Sequence, residues 1–192
     1  HENEDKTTEI SIVRDTIIVK SVVLTQKDKK AKLVAVVKLS RFGEGTDEEW
    51  EKAVLEIESM KRENASSFAG IVLDLRNNPG GFLQSAVFIA SEFLSEGTVV
   101  LEEDGNGQRK TFSVNRLGRL PSDPLVVLIN KGSASASEIV AGALSDRGRA
   151  KLVGEKSFGK GTIQEPQDLT EGAGLHITIA KWLTPNGHWV ND

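Results

Sequence analysis

The chain contains no cysteine. That excludes a disulfide framework, a thiol nucleophile and a cysteine-based zinc site. Histidine is scarce: His1, His176 and His188 are the only three, and none has the spacing to carboxylates or to another histidine that a metal site needs. No apolar run approaches the length of a membrane-spanning helix. The opening stretch, His1 to Glu9, is polar and does not read as a secretory signal. A net charge of −4, with Lys and Arg scattered among acids, supplies no basic field for gripping nucleic acid. The aromatics do not interleave with basic residues as a base-stacking surface would. What remains is 192 residues, 38% hydrophobic and 27% charged, the profile of a globular protein with one sizeable core, or one domain and an appendage.

The pattern along the chain alternates strands with helices. Thr8 to Val23 is rich in Ile, Val and Thr and reads as strand, and a polar turn, Gln26 to Lys30, leads to a second strand over Leu33 to Leu39. Thr46 followed by Glu49 has capping-box spacing. Behind it Trp50, Ala53, Val54, Ile57 and Met60 form a helical apolar stripe, with Trp50 in the core. Gly70-Ile71-Val72-Leu73-Asp74-Leu75 reads as a buried parallel strand. It leads into the turn Arg76 to Gly81 and a helix bearing Leu83, Ala86, Val87, Ala90 and Phe93. Asp104-Gly105-Asn106-Gly107 suggests a hairpin. Then strand, small-residue turn and helix recur, as Leu125 to Ile129, Asn130 to Ala134, and a helix carrying Ile139, Val140, Ala143 and Leu144. Ala150 to Val153 and Leu175 to Leu183 are further strands around the glycine-flanked Lys160. The expected class is α/β with a mainly parallel sheet, whose chemistry collects at the carboxyl ends of the strands.

Three places attract attention. Ser135 lies where a buried strand hands over to a helix, so helix-terminal N–H groups flank it and can stabilise an oxyanion. The same small residues also serve as plain helix caps, a role open to Ser133, Ser135 and Ser137 alike. Gly80-Gly81 permits positive φ and close backbone approach. There the Gly81 N–H is a candidate second oxyanion donor, or the pair is simply a tight turn. Lys160 stands between two glycines. As a surface lysine it does nothing; buried against apolar surface it can lose its proton and serve as a base. The segment Ser157 to Thr162 lacks the spacing of a phosphate-binding loop. His176 falls in an expected strand and His188 in a turn, so a serine–histidine triad is the poorer option. Asp74 is an isolated acid at a strand end.

Taken together, three blocks resemble the signatures of C-terminal processing (tail-specific) peptidases: Gly70 to Gly81, Gly132 to Ile139, and Gly154 to Gln164. Their order and separation also agree, and the similarity runs from about Thr8 to the C-terminus. The resemblance implies a core like that of crotonase and Clp protease. It implies a serine endopeptidase with Ser135 as nucleophile, Lys160 as general base and Gln164 orienting the lysine; one helical turn, if the segment forms one, would put Gln164 beside Lys160. The N–H groups of Gly81 and Ala136 would form the oxyanion hole, with no metal or organic cofactor. The implied partner is a protein or peptide substrate, held by its C-terminus, with a homo-oligomer possible for the full-length protein. The implied location is extracytoplasmic: a periplasm, a membrane face or a plastid lumen. Relatives carry a PDZ domain before the core and continue beyond Trp189 to Asp192. Residues 1–30 are therefore expected to be a strand segment flanking an absent PDZ domain, and 31–192 the protease core. Two other readings share the motif. One is a non-catalytic module like the retinoid-binding repeats. The other is a resting core whose serine and lysine stay apart until a regulatory domain docks.

Overall fold

The computed structural model describes residues 19–191. The expected strand from Thr8 therefore lies mostly outside the described residues. Strand β1 (Val22–Lys29) pairs antiparallel along its whole length with β2 (Lys32–Leu39). Gln26 to Lys29 are thus strand and not the expected turn, which is confined to Lys30 and Ala31, both at positive φ. The boundary drawn at residue 30 falls in the bend of this hairpin.

Helix α1 (Thr46–Glu63) starts where expected but not by the expected device. Gly45 at φ 76° is the N-cap, and no side chain caps the helix. Thr46 Oγ1 accepts from the Gly43 N–H at 2.9 Å. Glu49 is diverted to the main chain of the sheet edge, accepting from Ser21 N at 2.7 Å and Val22 N at 2.9 Å. A charged acceptor for two N–H groups outweighs a local cap, since charge-assisted bonds are roughly twice as strong as neutral ones. Trp50, Ala53, Val54 and Ile57 are buried as the stripe requires. Trp50 meets Phe93 edge-on at 5.7 Å.

The central strands are β3 (Phe68–Asp74), β6 (Leu125–Ile129) and β7 (Lys151–Gly154). With β1 and β2 they form a five-stranded sheet in the order β1-β2-β3-β6-β7. All its neighbours are parallel except the β1–β2 hairpin. Helices α2 (Leu83–Phe93) and α3 (Ala136–Asp146) follow β3 and β6 and pack on one another. They share one apolar core with β2, β3 and α1.

A second sheet is wholly antiparallel. It comprises β4 (Thr98–Asp104), β5 (Arg109–Ser113), β8 (Thr162–Asp168) and β9 (Gly174–Leu183), in the order β5-β4-β9-β8. The expected hairpin at Asp104 joins β4 to β5. Val99, Val100 and Trp182 bind this sheet to the main core. Gly174 to Ile179 on β9 and Gln164 to Asp168 on β8 are exposed. The α/β class with a mostly parallel main sheet is as the sequence led us to expect.

β3 ends on a buried carboxylate. Asp74 is 5% exposed and takes the Arg76 guanidinium in a fork, Nε to Oδ1 at 2.8 Å and Nη2 to Oδ2 at 2.6 Å. Hydrogen bonding from Arg76 holds the Asp74 carboxyl below the usual carboxylate range, against the opposing effect of burial. A depressed folded value means stability that is present above the ordinary carboxyl pKa of about 3.9 and lost as pH falls through the lowered one. Arg76→Ala is therefore expected to lower Tm at pH 7, and its gap from the wild type should close below about pH 4. Thermal melts across that range check this; a gap independent of pH contradicts it.

Candidate active site

The turn after β3 and the turn after β6 are knitted together by buried amides and hydroxyls. Asn78 is fully buried. Its Nδ2 donates to Leu39 O at 2.9 Å and its Oδ1 accepts from Gly80 N at 2.9 Å. Its carbonyl accepts from Ala134 N at 3.0 Å and from Ser137 Oγ at 2.9 Å. Ser133 Oγ donates to Leu75 O at 2.8 Å. Of the three serines in this turn, Ser133 and Ser137 are thus buried and committed to main-chain carbonyls. Ser135 is half-buried and faces a cavity.

Ser135 has φ 56° and ψ −117°, a backbone conformation few non-glycine residues adopt. Such strain costs of order 1–3 kcal/mol and persists only where the surroundings over-determine it. Here its own N–H is held by Glu138 Oε2 at 2.7 Å, and its carbonyl accepts from Glu138 N at 2.8 Å and Ile139 N at 3.0 Å. A sharp, strained strand-to-helix turn is also what exposes the nucleophilic serine of α/β-hydrolases. Gly80 is pressed against it: a Cβ there would lie 2.6 Å from Ala134 O and 2.8 Å from Ser135 Cβ. Gly81, at φ 140°, leaves no room for a Cβ beside the Phe42 carbonyl. Among the described residues neither the Gly81 nor the Ala136 N–H has a hydrogen-bond acceptor.

Lys160 arrives on the loop between β7 and β8. Its N–H donates to Glu138 Oε2 at 3.0 Å, and the Gly159 N–H to Glu138 Oε1 at 2.6 Å. Phe158 N bonds Ser133 O at 2.9 Å. Trp182 Nε1 holds the Lys160 carbonyl at 2.9 Å, and Trp189 Nε1 the Gly161 carbonyl at 2.9 Å. Lys160 is exposed, contrary to the burial that would free its amine. The physical reason is the position of its loop: β8, which follows, is the outer strand of the second sheet. Gln164 also differs from expectation. It sits on β8 and not on a helical turn, just past a register shift between Ile163 and Gln164. That irregularity lets Thr162, Ile163 and Gln164 all border one cavity.

That cavity, of about 320 Å³, gathers Gly81, Ser135, Lys160 and Gln164. Leu83, Ile139, Ile163 and Trp182 supply apolar wall, and Glu102 and His176 also line it. Its size and mixed lining suit a ligand side chain with a few fixed polar groups. Sequence reasoning did not single out Glu102, whose strand meets β9 only in three dimensions, and it set His176 aside. Nor did it single out Glu138, although Ser135-x-x-Glu138 has the spacing of a reciprocal helix cap. Among the described residues no cluster of acids and histidines has the geometry of a metal site.

Residues 33–192 match the sequence profile of peptidase family S41. The chain belongs to that family. Membership of family S41 agrees with the resemblance to C-terminal processing peptidases read from the three blocks. A carboxyl-terminal-processing protease from Synechocystis is 42% identical over 185 residues, covering 95% of this chain and 42% of that protein. The processing protease CtpB of Bacillus subtilis is 38% identical over 181 residues, covering 94% and 36%. Among solved structures, a photosystem II D1 C-terminal processing protease superposes with TM-score 0.81 at 34% identity, covering 93% of this chain and 47% of that one. The S41 chain described here thus spans less than half the length of these relatives. A putative S41 protease from Bacteroides fragilis, 16% identical with TM-score 0.72, shares the fold.

Gly80→Ala is expected to cost about 1–3 kcal/mol, several degrees in Tm, because the new methyl meets main chain at a positive-φ position. Gly105→Ala, where a Cβ has nothing within 4 Å, should change Tm by about a degree or less. Equal melting points for the two variants would contradict the packing described.

Proposed function

We propose that this chain carries the catalytic centre of a serine endopeptidase of the carboxyl-terminal processing type. Ser135 is the nucleophile and Lys160 the general base. The observation that carries the reading is the strained main chain of Ser135 at the head of α3, bordering one cavity with Lys160 and Gln164. Ser135 is also the N-cap of α3, in a reciprocal box with Glu138, but an N-cap residue ordinarily takes extended backbone angles, so capping does not account for the strain.

In the proposed reaction the neutral amine of Lys160 takes the Ser135 hydroxyl proton as Oγ attacks the scissile carbonyl. The oxyanion is received by the Gly81 and Ala136 N–H groups, each such donor being worth roughly 10²–10³ in rate. Lys160 returns the proton to the leaving amine, and water, activated in the same way, releases the acyl-enzyme. Gln164 orients the lysine side chain. Closure of the cavity around substrate would exclude water from the reacting groups. The exposure of Lys160 is what a site not yet closed would show. It agrees with a resting core that is completed when substrate or a regulatory domain docks.

The substrate class is a protein chain cut near its C-terminus, and the setting extracytoplasmic. Both rest on the likeness to processing proteases, as does our reading of a protease core preceded by a segment that flanks a PDZ domain; β1 goes with the core, because it pairs with β2 across the boundary at residue 30. Among the described residues no helix is long and apolar enough to cross a membrane.

The test is a fluorophosphonate probe on the intact protein, with peptide turnover alongside. Ser135→Ala is expected to abolish labelling and turnover. Lys160→Ala should reduce both by at least about 10²-fold, the lower range for a lost general base. His176→Ala should leave labelling within about threefold of wild type. Labelling that survives Ser135→Ala overturns the nucleophile. Loss on His176→Ala with survival of Lys160→Ala transfers the base to histidine. Absence of labelling with co-purified lipid favours a binding module of the retinoid-repeat kind.

A further inference from the structure

Glu138 is a buried carboxylate that the proposed reaction does not use. It is 3% exposed. A helix cap would require only its bond to Ser135 N, at 2.7 Å. Two more bonds come from a loop over twenty residues further on: Gly159 N at 2.6 Å and Lys160 N at 3.0 Å. Oε2 is shared, so a single oxygen holds the main-chain nitrogens of both Ser135 and Lys160. The loop is otherwise tied mainly to the second sheet and the C-terminal end, through Trp182, Trp189 and Asn191. Phe158 N to Ser133 O is another bond between this loop and the serine turn.

We infer that Glu138 is a positioning residue that sets the register of the lysine loop against the nucleophile turn. The inference rests on the serine–lysine reading given above. The lysine side chain is long and its loop is rich in glycine, so its approach to Ser135 is fixed by main-chain anchors and not by side-chain packing. A carboxylate suits the task because both oxygens accept. A glutamine keeps the shape but sets an NH₂ donor against the Gly159 N–H when turned one way, and against the Ser135 and Lys160 N–H groups when turned the other. A displacement of about 1 Å between reacting groups costs roughly 10²-fold in rate. The defect should therefore fall on proton transfer and not on substrate affinity.

The experiment is a double-mutant cycle on the intact protein, reading the second-order rate constant of fluorophosphonate labelling. Glu138→Gln alone is expected to lower the rate by between about 10- and 100-fold, with KM for a peptide substrate unchanged. In a Lys160→Ala background the same substitution should change the residual rate by less than about threefold, because a base that is absent cannot be misplaced. Should Glu138→Gln fail to fold, Glu138→Asp replaces it. It keeps the charge, is one methylene too short to span both loops, and carries the same expectation. A full multiplicative loss in both backgrounds, or an unchanged rate in folded Glu138 variants, overturns the positioning role while leaving the serine–lysine reading intact. If Lys160→Ala or Ser135→Ala alone leaves labelling unaltered, the reading beneath it fails instead, and the cycle distinguishes the two.

Discussion

The main-chain carbonyl and side chain of Asn78 hold together what would otherwise be two separate turns. This one fully buried residue reaches β2 through Leu39, braces Gly80, and takes the Ala134 N–H and the Ser137 hydroxyl from the following strand–helix unit. Removing its amide would leave a buried carbonyl and a buried N–H without partners, at about 1–3 kcal/mol each. Those same bonds supply what the unfavourable backbone angles of Ser135 need. The parallel strands β3 and β6 lie side by side, so the turns that leave them are adjacent by topology. Hydrogen bonding then turns adjacency into a fixed geometry. Gly80 matters because the two turns meet at a distance that excludes a side chain, and Gly81 because it lies against the Phe42 carbonyl.

The second sheet brings the remaining participants from a different direction. β9 runs from an exposed first half, Gly174 to Ile179, inward to the core at Trp182, with β8 paired along it. The wall that holds Gln164 and His176 is therefore the exposed part of a sheet whose other half is buried. This explains why the serine side of the cavity is rigidly packed while the lysine side stands open. It also makes the exposure of Lys160 a consequence of architecture.

Much of this was legible in the sequence. β3, α2, β6 and α3 appear at their expected places because continuous apolar runs and helical stripes leave few other ways to bury Ile71, Leu73, Val127 or Val140. Failures had local causes. Thr46 and Glu49 have capping-box spacing, yet Glu49 found stronger partners at Ser21 and Val22, which no local pattern reveals. β8 reads Thr-Ile-Gln-Glu-Pro-Gln-Asp, polar and interrupted by proline, and an exposed edge strand gives little period-2 signal. The pairing of β4 with β9 joins segments some eighty residues apart and leaves no trace in either. With so little strand signal in β8, the four-residue spacing from Lys160 to Gln164 fits a helical turn as well as a strand. Ser135, Lys160, Gln164 and Gly81 were named in sequence and line one cavity. The three-way grip of Glu138 could be seen only once the lysine loop was in place.

The claim on which the account turns is that the hydroxyl of Ser135 and the amine of Lys160 meet when the site is engaged. The most direct measurement is a crystal structure of the intact protein bearing a peptidyl inhibitor bonded to its nucleophile. The account predicts the adduct on Ser135 Oγ, Lys160 Nζ within about 3.2 Å of that oxygen, and the inhibitor oxygen between the Gly81 and Ala136 N–H groups. An adduct on another residue would contradict it. So would a lysine amine held too far from Oγ for even one water to bridge.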